Sequence, residues 1–234
     1  MITVADIVAE LASHRDEAAL AGMAKYGISV DKAYGWSVPQ VRALAKRVVA
    51  ELGKKNPERH ALALELWPTG LHEAQLLAPM IDAPEWVTQQ QAEAWVADLD
   101  SWDTCDQLCN NLLGDTPFAW DKAVEWSGRE EEFVKRAGFA LMAVLGWHAK
   151  DVPVERWAPF FAAMERESGD DRGYVKKAVN WALRNIGKND PAAHAQAVAC
   201  ARRIAATGTK AGRWIAADAL KELEGEAVRK RLGL

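Results

Sequence analysis

The chain has 234 residues, of which 50% are hydrophobic and 26% are charged, and its formal net charge is −4. This is an ordinary soluble globular composition, sufficient for one sizeable core or a short helical solenoid. It argues against a membrane protein, because no apolar stretch approaches the roughly 20 residues of a membrane-spanning helix. The first 20 residues lack a basic region followed by an apolar run, so we expect no signal peptide.

Nearly every segment has the apolar periodicity of a helix, and no run alternates with the period of two that is typical of strands. Breaks fall at Gly, Pro or Asp, and most connections are only a few residues long. The pattern predicts a helix over residues 3–20, one over 38–52 that starts at Ser37 and ends at Gly53, one from Asn56-Pro57 to Gly70, and others over about 71–81, 83–99, 102–113, 118–127, 130–147, 153–167, 172–188, 191–206 and 210–222, with a last short helix near the end.

The three cysteines predict a reducing, cytoplasmic environment. Their count is odd and they have no CxxC spacing, which argues against a disulfide framework and against a zinc site. Cys105 and Cys109 are four residues apart on the same helical face as Leu108 and Leu112, so we expect both to be small core residues. The five histidines are scattered without the spacing of metal ligands, and we expect neither a metal nor a cofactor.

The charge is distributed unevenly along the chain. Residues 1–171 contain 16 Lys and Arg against 28 Asp and Glu, a balance of −12. Residues 172–234 contain 13 against 5, a balance of +8. Such asymmetry favours a polyanion-binding surface near the C-terminus, although a merely solvated basic end also fits the charge alone.

A weak internal repeat indicates paired helices. The segment FVKRA at residues 133–137 returns as YVKKA 41 positions later, and Arg213 begins a degenerate third copy 36 positions after Lys177. Helix pairs that repeat at roughly 40 residues are typical of HEAT-like solenoids, which place their second helices along one concave wall. The sequence thus predicts a single all-α domain over residues 1–234, a right-handed, curved HEAT-like solenoid of five or six helix pairs with Arg136, Lys177 and Arg213 on one concave wall.

The helix over residues 174–188 has two distinct faces. One is an apolar stripe of Val175, Ala178, Val179, Ala182 and Ile186. On the opposite face, Trp181 lies among three cations, Lys177, Arg184 and Lys188. Trp181 is either buried against a neighbouring helix with a solvated rim of cations, or it is an aromatic platform inside a basic groove that suits a nucleic-acid backbone.

A second candidate pair lies on the helix predicted over residues 102–113. Trp102 and Asp106 are four residues apart, so both project to the same side, next to the predicted core stripe. A carboxylate beside an indole at the edge of a core can hold a cation between them. The alternative is a surface carboxylate and a core tryptophan near a helix start.

These segments, taken together, resemble the AlkD-like family of DNA alkylation repair glycosylases. The resemblance covers residues 23–220, and its segments are MAKYGI, GWSVPQVRALAK, SWDTCDQLCNNLLGD, FVKRAGFALMAVL and YVKKAVNWALRNIGKNDP, in that order. It implies an active site of Trp102, Asp106 and a second tryptophan, Trp181. It also implies a tyrosine that completes the pocket, which matches Tyr26, although a shift of the following loop would place it at Tyr34.

The resemblance also implies an activity. The expected enzyme is a monofunctional DNA glycosylase that hydrolyses the N-glycosidic bond of cationic N3- or N7-alkylated purines in duplex DNA without flipping the base. The partner is duplex DNA containing alkylated bases, and we expect a monomer that does not contact a membrane and is associated with the nucleoid when it acts. Six cations are predicted to hold the DNA phosphates: Arg136, Lys177, Arg184, Lys188, Lys210 and Arg213.

Two readings without catalysis remain open from the sequence. If the protein is a HEAT-like protein-interaction scaffold, we expect the Trp181 side chain to be packed or covered by neighbouring residues, and we expect no preference for DNA. A relative that only binds DNA structures predicts DNA affinity with an altered arrangement of Trp102 and Asp106.

Overall fold

The computed structural model describes residues 2–54 and 56–234, and this part of the chain contains helices and no strand. The α-helices are α1 (Val4–Ser13), α2 (Glu17–Lys25), α3 (Val38–Leu52), α4 (Glu58–Leu66), α5 (His72–Ile81), α6 (Gln89–Ala97), α7 (Trp102–Asn111), α8 (Ala119–Ser127), α9 (Glu132–His148), α10 (Ala158–Glu167), α11 (Gly173–Ile186), α12 (Pro191–Ala206), α13 (Lys210–Leu223) and α14 (Glu226–Leu232). Short 3₁₀ helices span Trp67–Thr69, Leu113–Asp115 and Val154–Trp157. None of the described helices is both long enough and apolar enough to cross a membrane.

The chain divides into two compact units, Met1–Thr116 and Pro117–Leu234. In a helical repeat protein each repeat contacts only its neighbours, so such an array can be divided between repeats without being two domains. The single domain over residues 1–234 therefore stays a prediction.

In the N-terminal unit, α5 packs against α3, α4 and α7. Its core is formed by apolar residues of these helices and of the first one, including Leu11, Leu44, Val48, Leu66, Leu76, Leu77 and Leu108. Trp67 and Trp95 stack in parallel with ring centroids 4.4 Å apart, and the Trp67 indole N–H donates to an Asp98 carboxylate oxygen at 3.0 Å. The indole thus keeps a hydrogen-bond partner although its ring is buried.

In the C-terminal unit, the helices pack as pairs, with α8 against α9, α10 against α11 and α12 against α13. The second helices also pack on one another, because α11 contacts both α9 and α13. The contact between α9 and α11 is close at Gly146, where an added Cβ would lie 2.7 Å from Ile186 Cγ1 and 2.8 Å from the Ile186 backbone nitrogen. The absence of a side chain at this position therefore allows the two helices to approach.

Most predicted helices are confirmed, and local signals set their ends. Ser37 and Gln40 form a capping box at the start of α3, which ends at Gly53 with a φ of 92°.

Two of the predicted helices were wrong. Residues 3–20 form two helices instead of one, because Asp16 accepts hydrogen bonds from the backbone of Ala18 and Ala19 and starts α2. The helix predicted from about residue 83 starts at Gln89, where the Thr88 side chain caps it.

The close packing at Gly146 predicts that even the addition of a methyl group at this position lowers the stability of the protein. We expect Gly146→Ala to lower the free energy of unfolding by about 1–3 kcal/mol, because the new methyl group meets backbone atoms that cannot move aside easily. This corresponds to a loss of several degrees in melting temperature. The matched control is Gly173→Ala in α11, where the added Cβ meets nothing within 4 Å. Equal melting temperatures for both variants would contradict this role of Gly146.

Candidate functional site

The candidate residues in the N-terminal unit lie on α7. Trp102 is the first residue of this helix and Asp106 follows one turn later, and both side chains are half-buried. The neighbouring stripe is fully buried and consists of Cys105, Leu108, Cys109 and Leu112. The predicted division of this helix is therefore confirmed, with Trp102 and Asp106 at the edge of the core and not inside it.

Tyr26 lies beside Trp102. The Trp102 indole N–H donates a hydrogen bond of 3.1 Å to the Tyr26 carbonyl oxygen, although the two residues are 76 positions apart. The Tyr26 side chain follows the end of α2 and is 71% exposed. Tyr34 instead uses its backbone N–H to bind Glu73. The Tyr26 backbone therefore contacts Trp102, and the choice between Tyr26 and Tyr34 as the pocket tyrosine stays a prediction.

A buried polar cluster fixes the start of α7, and sequence reasoning missed it. The Asp103 carboxylate accepts from the Ser101 hydroxyl and from the Thr104 backbone N–H, and its other oxygen lies 3.0 Å from His72 Nε2. All of these side chains are buried. Since His72 is the first residue of α5, this cluster connects the starts of α5 and α7 and so orients Trp102. The only local signal for it is the Ser-Trp-Asp sequence at the helix start.

The loop between α2 and α3 is held by a second buried carboxylate. One Glu73 oxygen accepts hydrogen bonds from the backbone N–H groups of Tyr34, Gly35 and Trp36, at 2.8, 2.7 and 3.1 Å. Gly35 has a φ of +89°, and a Cβ at this position would clash with the Asp16 carbonyl oxygen. The loop that follows Tyr26 therefore has one defined path, which the sequence pattern did not predict.

The N-terminal unit also has a groove of mixed apolar and charged lining that sequence reasoning did not assign. A cavity of 700 Å³ is lined by the side chains of Arg42, Lys46, Lys54 and Arg59, together with Asp82 and Glu85. Arg42 also reaches from α3 to α7, where it donates to the Gln107 and Asn111 side chains at 3.2 and 3.0 Å. The signal that could have found it is the Arg-x-x-x-Lys spacing on α3, which places Arg42 and Lys46 on one face.

In the C-terminal unit, α11 has the two predicted faces. Its apolar stripe is fully buried, and it comprises Val175, Ala178, Val179, Ala182 and Ile186. Trp181 is half-buried on the other side, and Lys177 is exposed. The prediction that Trp181 lies outside the core stripe is confirmed, whereas its membership of one active site with Trp102 and Asp106 stays a prediction.

Two of the predicted phosphate ligands are engaged in ion pairs with α13. Arg184 and Lys188 contact the two Glu222 carboxylate oxygens at 2.5 and 2.6 Å, and Arg184 is also 3.8 Å from Asp218. Burial alone would raise the pKa of Glu222, but hydrogen bonds from Lys188 and Arg184 outweigh it and hold the pKa below its ordinary value of 4.5. The charge of both cations is thus partly compensated within the protein.

The other predicted cations differ in their exposure. Arg136 is only 6% exposed, and its guanidinium donates to the Tyr174 carbonyl oxygen at 2.7 Å, which connects α9 to the start of α11. Lys177 and Arg213 are exposed on α11 and α13. Lys210 is largely exposed and lies 3.6 Å from Asp171. Lys177, Lys210 and Arg213 are therefore the exposed cations of the predicted set, although Arg213 also donates to the Gly208 carbonyl oxygen, and Arg136 is the least accessible.

No cluster of three or more His, Cys, Asp or Glu side chains suited to a metal ion occurs within residues 2–54 and 56–234. The three cysteines are buried.

Comparison with known proteins supports a DNA-directed role. The family model for a DNA alkylation repair enzyme matches residues 7–223. No curated protein sequence matches the chain. A solved structure described as a new family of proteins related to the HEAT-like repeat DNA glycosylases, with affinity for branched DNA structures, superimposes with a TM-score of 0.77 at 20% identity, covering 100% of this chain and 97% of that one. This similarity confirms the predicted all-α, HEAT-like fold.

The ion pairs of Glu222 predict a pH-dependent contribution to stability. A carboxylate with a lowered folded-state pKa stabilises the protein above its unfolded-state pKa, and this stabilisation is lost as the pH falls through the folded-state value. We expect Glu222→Gln to melt about 2 °C below wild type at pH 7, and we expect this difference in melting temperature to shrink as the pH falls below 4.5. The matched control is Glu224→Gln, which removes the more exposed ion pair with Arg202 and has a smaller effect at pH 7. If the difference in melting temperature between Glu222→Gln and wild type is the same at pH 3 as at pH 7, the stabilisation does not come from the ionised Glu222 carboxylate.

Proposed function

Because the chain belongs to the family of DNA alkylation repair enzymes, we propose that it is a monofunctional DNA glycosylase that releases cationic N3- or N7-alkylated purines from duplex DNA. The observation that carries this proposal is the arrangement at the start of α7. Trp102 and Asp106 share the half-buried side of this helix, and the Trp102 indole is fixed by the Tyr26 carbonyl.

The residue types suit the chemistry of this reaction. Alkylation at N3 or N7 makes the purine cationic and therefore a good leaving group. As the glycosidic bond breaks, positive charge develops on the deoxyribose, and the Asp106 carboxylate can stabilise it and align the attacking water. The face of an indole attracts cations, so Trp102 favours the alkylated base and the developing sugar cation. The anchoring of α7 through Asp103 and His72 would hold both side chains in place during the reaction.

The second helices of the C-terminal unit supply the proposed phosphate contacts. Lys177 on α11 and Arg213 on α13 are exposed, and their helices pack side by side. Phosphate contacts of this kind position a duplex without reading its sequence. Arg184 and Lys188 would contribute less, because Glu222 already compensates part of their charge. Trp181, which is half-buried on the same helix as Lys177, stays the second tryptophan that the family resemblance implies.

A second candidate function is DNA-structure binding without base release. It is favoured by the description of the structurally similar protein, which has affinity for branched DNA structures. The two functions differ in one property only, since a binding protein would retain duplex affinity and release no base.

The mechanism predicts a specific effect for Asp106→Asn. This substitution keeps the shape of the side chain and removes its negative charge, which acts mainly in the transition state. We expect the single-turnover rate of N7-methylguanine release to fall by about 10²–10³, while the Kd for the same duplex changes by less than about threefold.

The matched control is Asp115→Asn, which removes an exposed carboxylate of the same unit that follows α7. It should release base at the wild-type rate. If Asp106→Asn releases base as fast as this control, Asp106 is not the catalytic carboxylate.

The proposed phosphate contacts predict a change in the salt dependence of binding. We expect Lys177→Ala and Arg213→Ala each to lower the slope of log K against log salt concentration by about one, because one phosphate contact is lost. Arg184→Ala should have a smaller effect, since its guanidinium is paired with Glu222. The control is Arg202→Ala on α12, a first helix of its pair, which should leave the slope unchanged. Identical slopes for all four variants and wild type would show that this basic face does not contact DNA.

A further inference from the structure

A tryptophan at the end of α9 is exposed in a way that the proposed reaction does not explain. Trp147 is 55% exposed, the highest value among the described tryptophans. Burying such a side chain normally stabilises a protein by a few kcal/mol. An indole that stays in water beside a groove of cations is suited to stacking on a flat, negatively charged ligand. Trp147 and His148 are the last two residues of α9, and they border a groove of 610 Å³ between the ends of α9, α11 and α14.

The rest of this groove is basic and polar. Its cations are Lys150, Arg231 and Lys188, of which Lys188 is already paired with Glu222, and its amides are Asn185 and Asn189. None of the described residues that line it is acidic, in a protein whose net charge is −4. The groove therefore combines an aromatic platform with positive charge.

Part of this polarity satisfies the carbonyl groups at the ends of the helices. Arg231 donates to the Lys188 carbonyl oxygen, and Lys150 donates to the Trp147 carbonyl oxygen at 3.3 Å. An ammonium group has three N–H donors and a guanidinium has five, so these bonds leave both cations able to contact an anion. Helix capping also gives no reason for an indole to remain in water. A ligand with a flat face and a negative charge accounts for both the exposed Trp147 indole and the remaining N–H donors of Lys150 and Arg231.

We infer that this groove binds an unpaired nucleotide of DNA. Its base stacks on the Trp147 indole, and its phosphate contacts Lys150 and Arg231. Aromatic platforms beside cations are the usual means by which proteins hold single-stranded nucleic acid. A base inside an intact duplex is covered on both faces by its neighbours, so only an unpaired base can use the indole. The site would therefore add affinity for DNA with a single-stranded arm, and it operates independently of base release.

The test compares two DNA molecules with the same duplex. One is blunt, and the other is a fork with two unpaired oligothymidine arms. We expect wild type to prefer the fork, and Trp147→Ala to lose about tenfold in affinity for the fork while its affinity for the blunt duplex stays within twofold of wild type. Trp147→Phe retains a stacking surface and should keep most of the preference. Lys150→Ala should lower the salt slope for the fork by about one and leave that for the blunt duplex unchanged.

The control is Trp214→Ala, because Trp214 is the other large exposed indole, at 41% exposure. It should keep the preference for the fork. The inference is overturned if wild type binds both DNAs equally, if Trp147→Ala loses affinity for both alike, or if Trp214→Ala loses the same preference. Base release measured on the blunt duplex separates this result from the proposed function, since Trp147→Ala should release base at the wild-type rate.

Discussion

The close approach of α9 and α11 is the constraint on which the C-terminal unit depends. Gly146 carries no side chain, so the backbone of α11 at Ile186 packs directly on α9. The Asn185 side chain donates across the same contact to the Ala143 carbonyl oxygen at 3.0 Å. These contacts fix the rotation of α11, because a helix held along one stripe has only one face left for solvent. That face carries Lys177, and its exposure is thus a consequence of core packing.

Net charge alone overstates the cations available to a ligand. The balance of +8 in residues 172–234 includes Arg184 and Lys188, whose charge Glu222 partly compensates. The exposed cations on adjacent second helices, Lys177 and Arg213, remain as the main candidates for phosphate contacts. Affinity for DNA would then depend on a few positions and not on the total charge.

The sequence predicted the features that depend on local spacing. The faces of α7 and α11, the burial of Cys105 and Cys109 and the start of α3 follow from helical periodicity and capping. It did not predict contacts between distant residues, such as the binding of the loop after Tyr26 by Glu73 or the contact of Asp103 with His72. These depend on how helices pack, which spacing alone does not encode. The single helix predicted over residues 3–20 failed because its alanine-rich composition concealed the capping signal.

The most direct test of the central claim is the release of free base by the wild-type protein. Purified protein in excess is incubated with a duplex that contains N7-methylguanine, and free base and bound DNA are measured in the same samples. The proposed glycosylase activity predicts first-order release of N7-methylguanine well above the rate in buffer, leaving an abasic site in an uncleaved strand. Binding of the duplex without any release above the buffer rate would contradict it, and would identify the protein as a DNA-structure-binding member of its family.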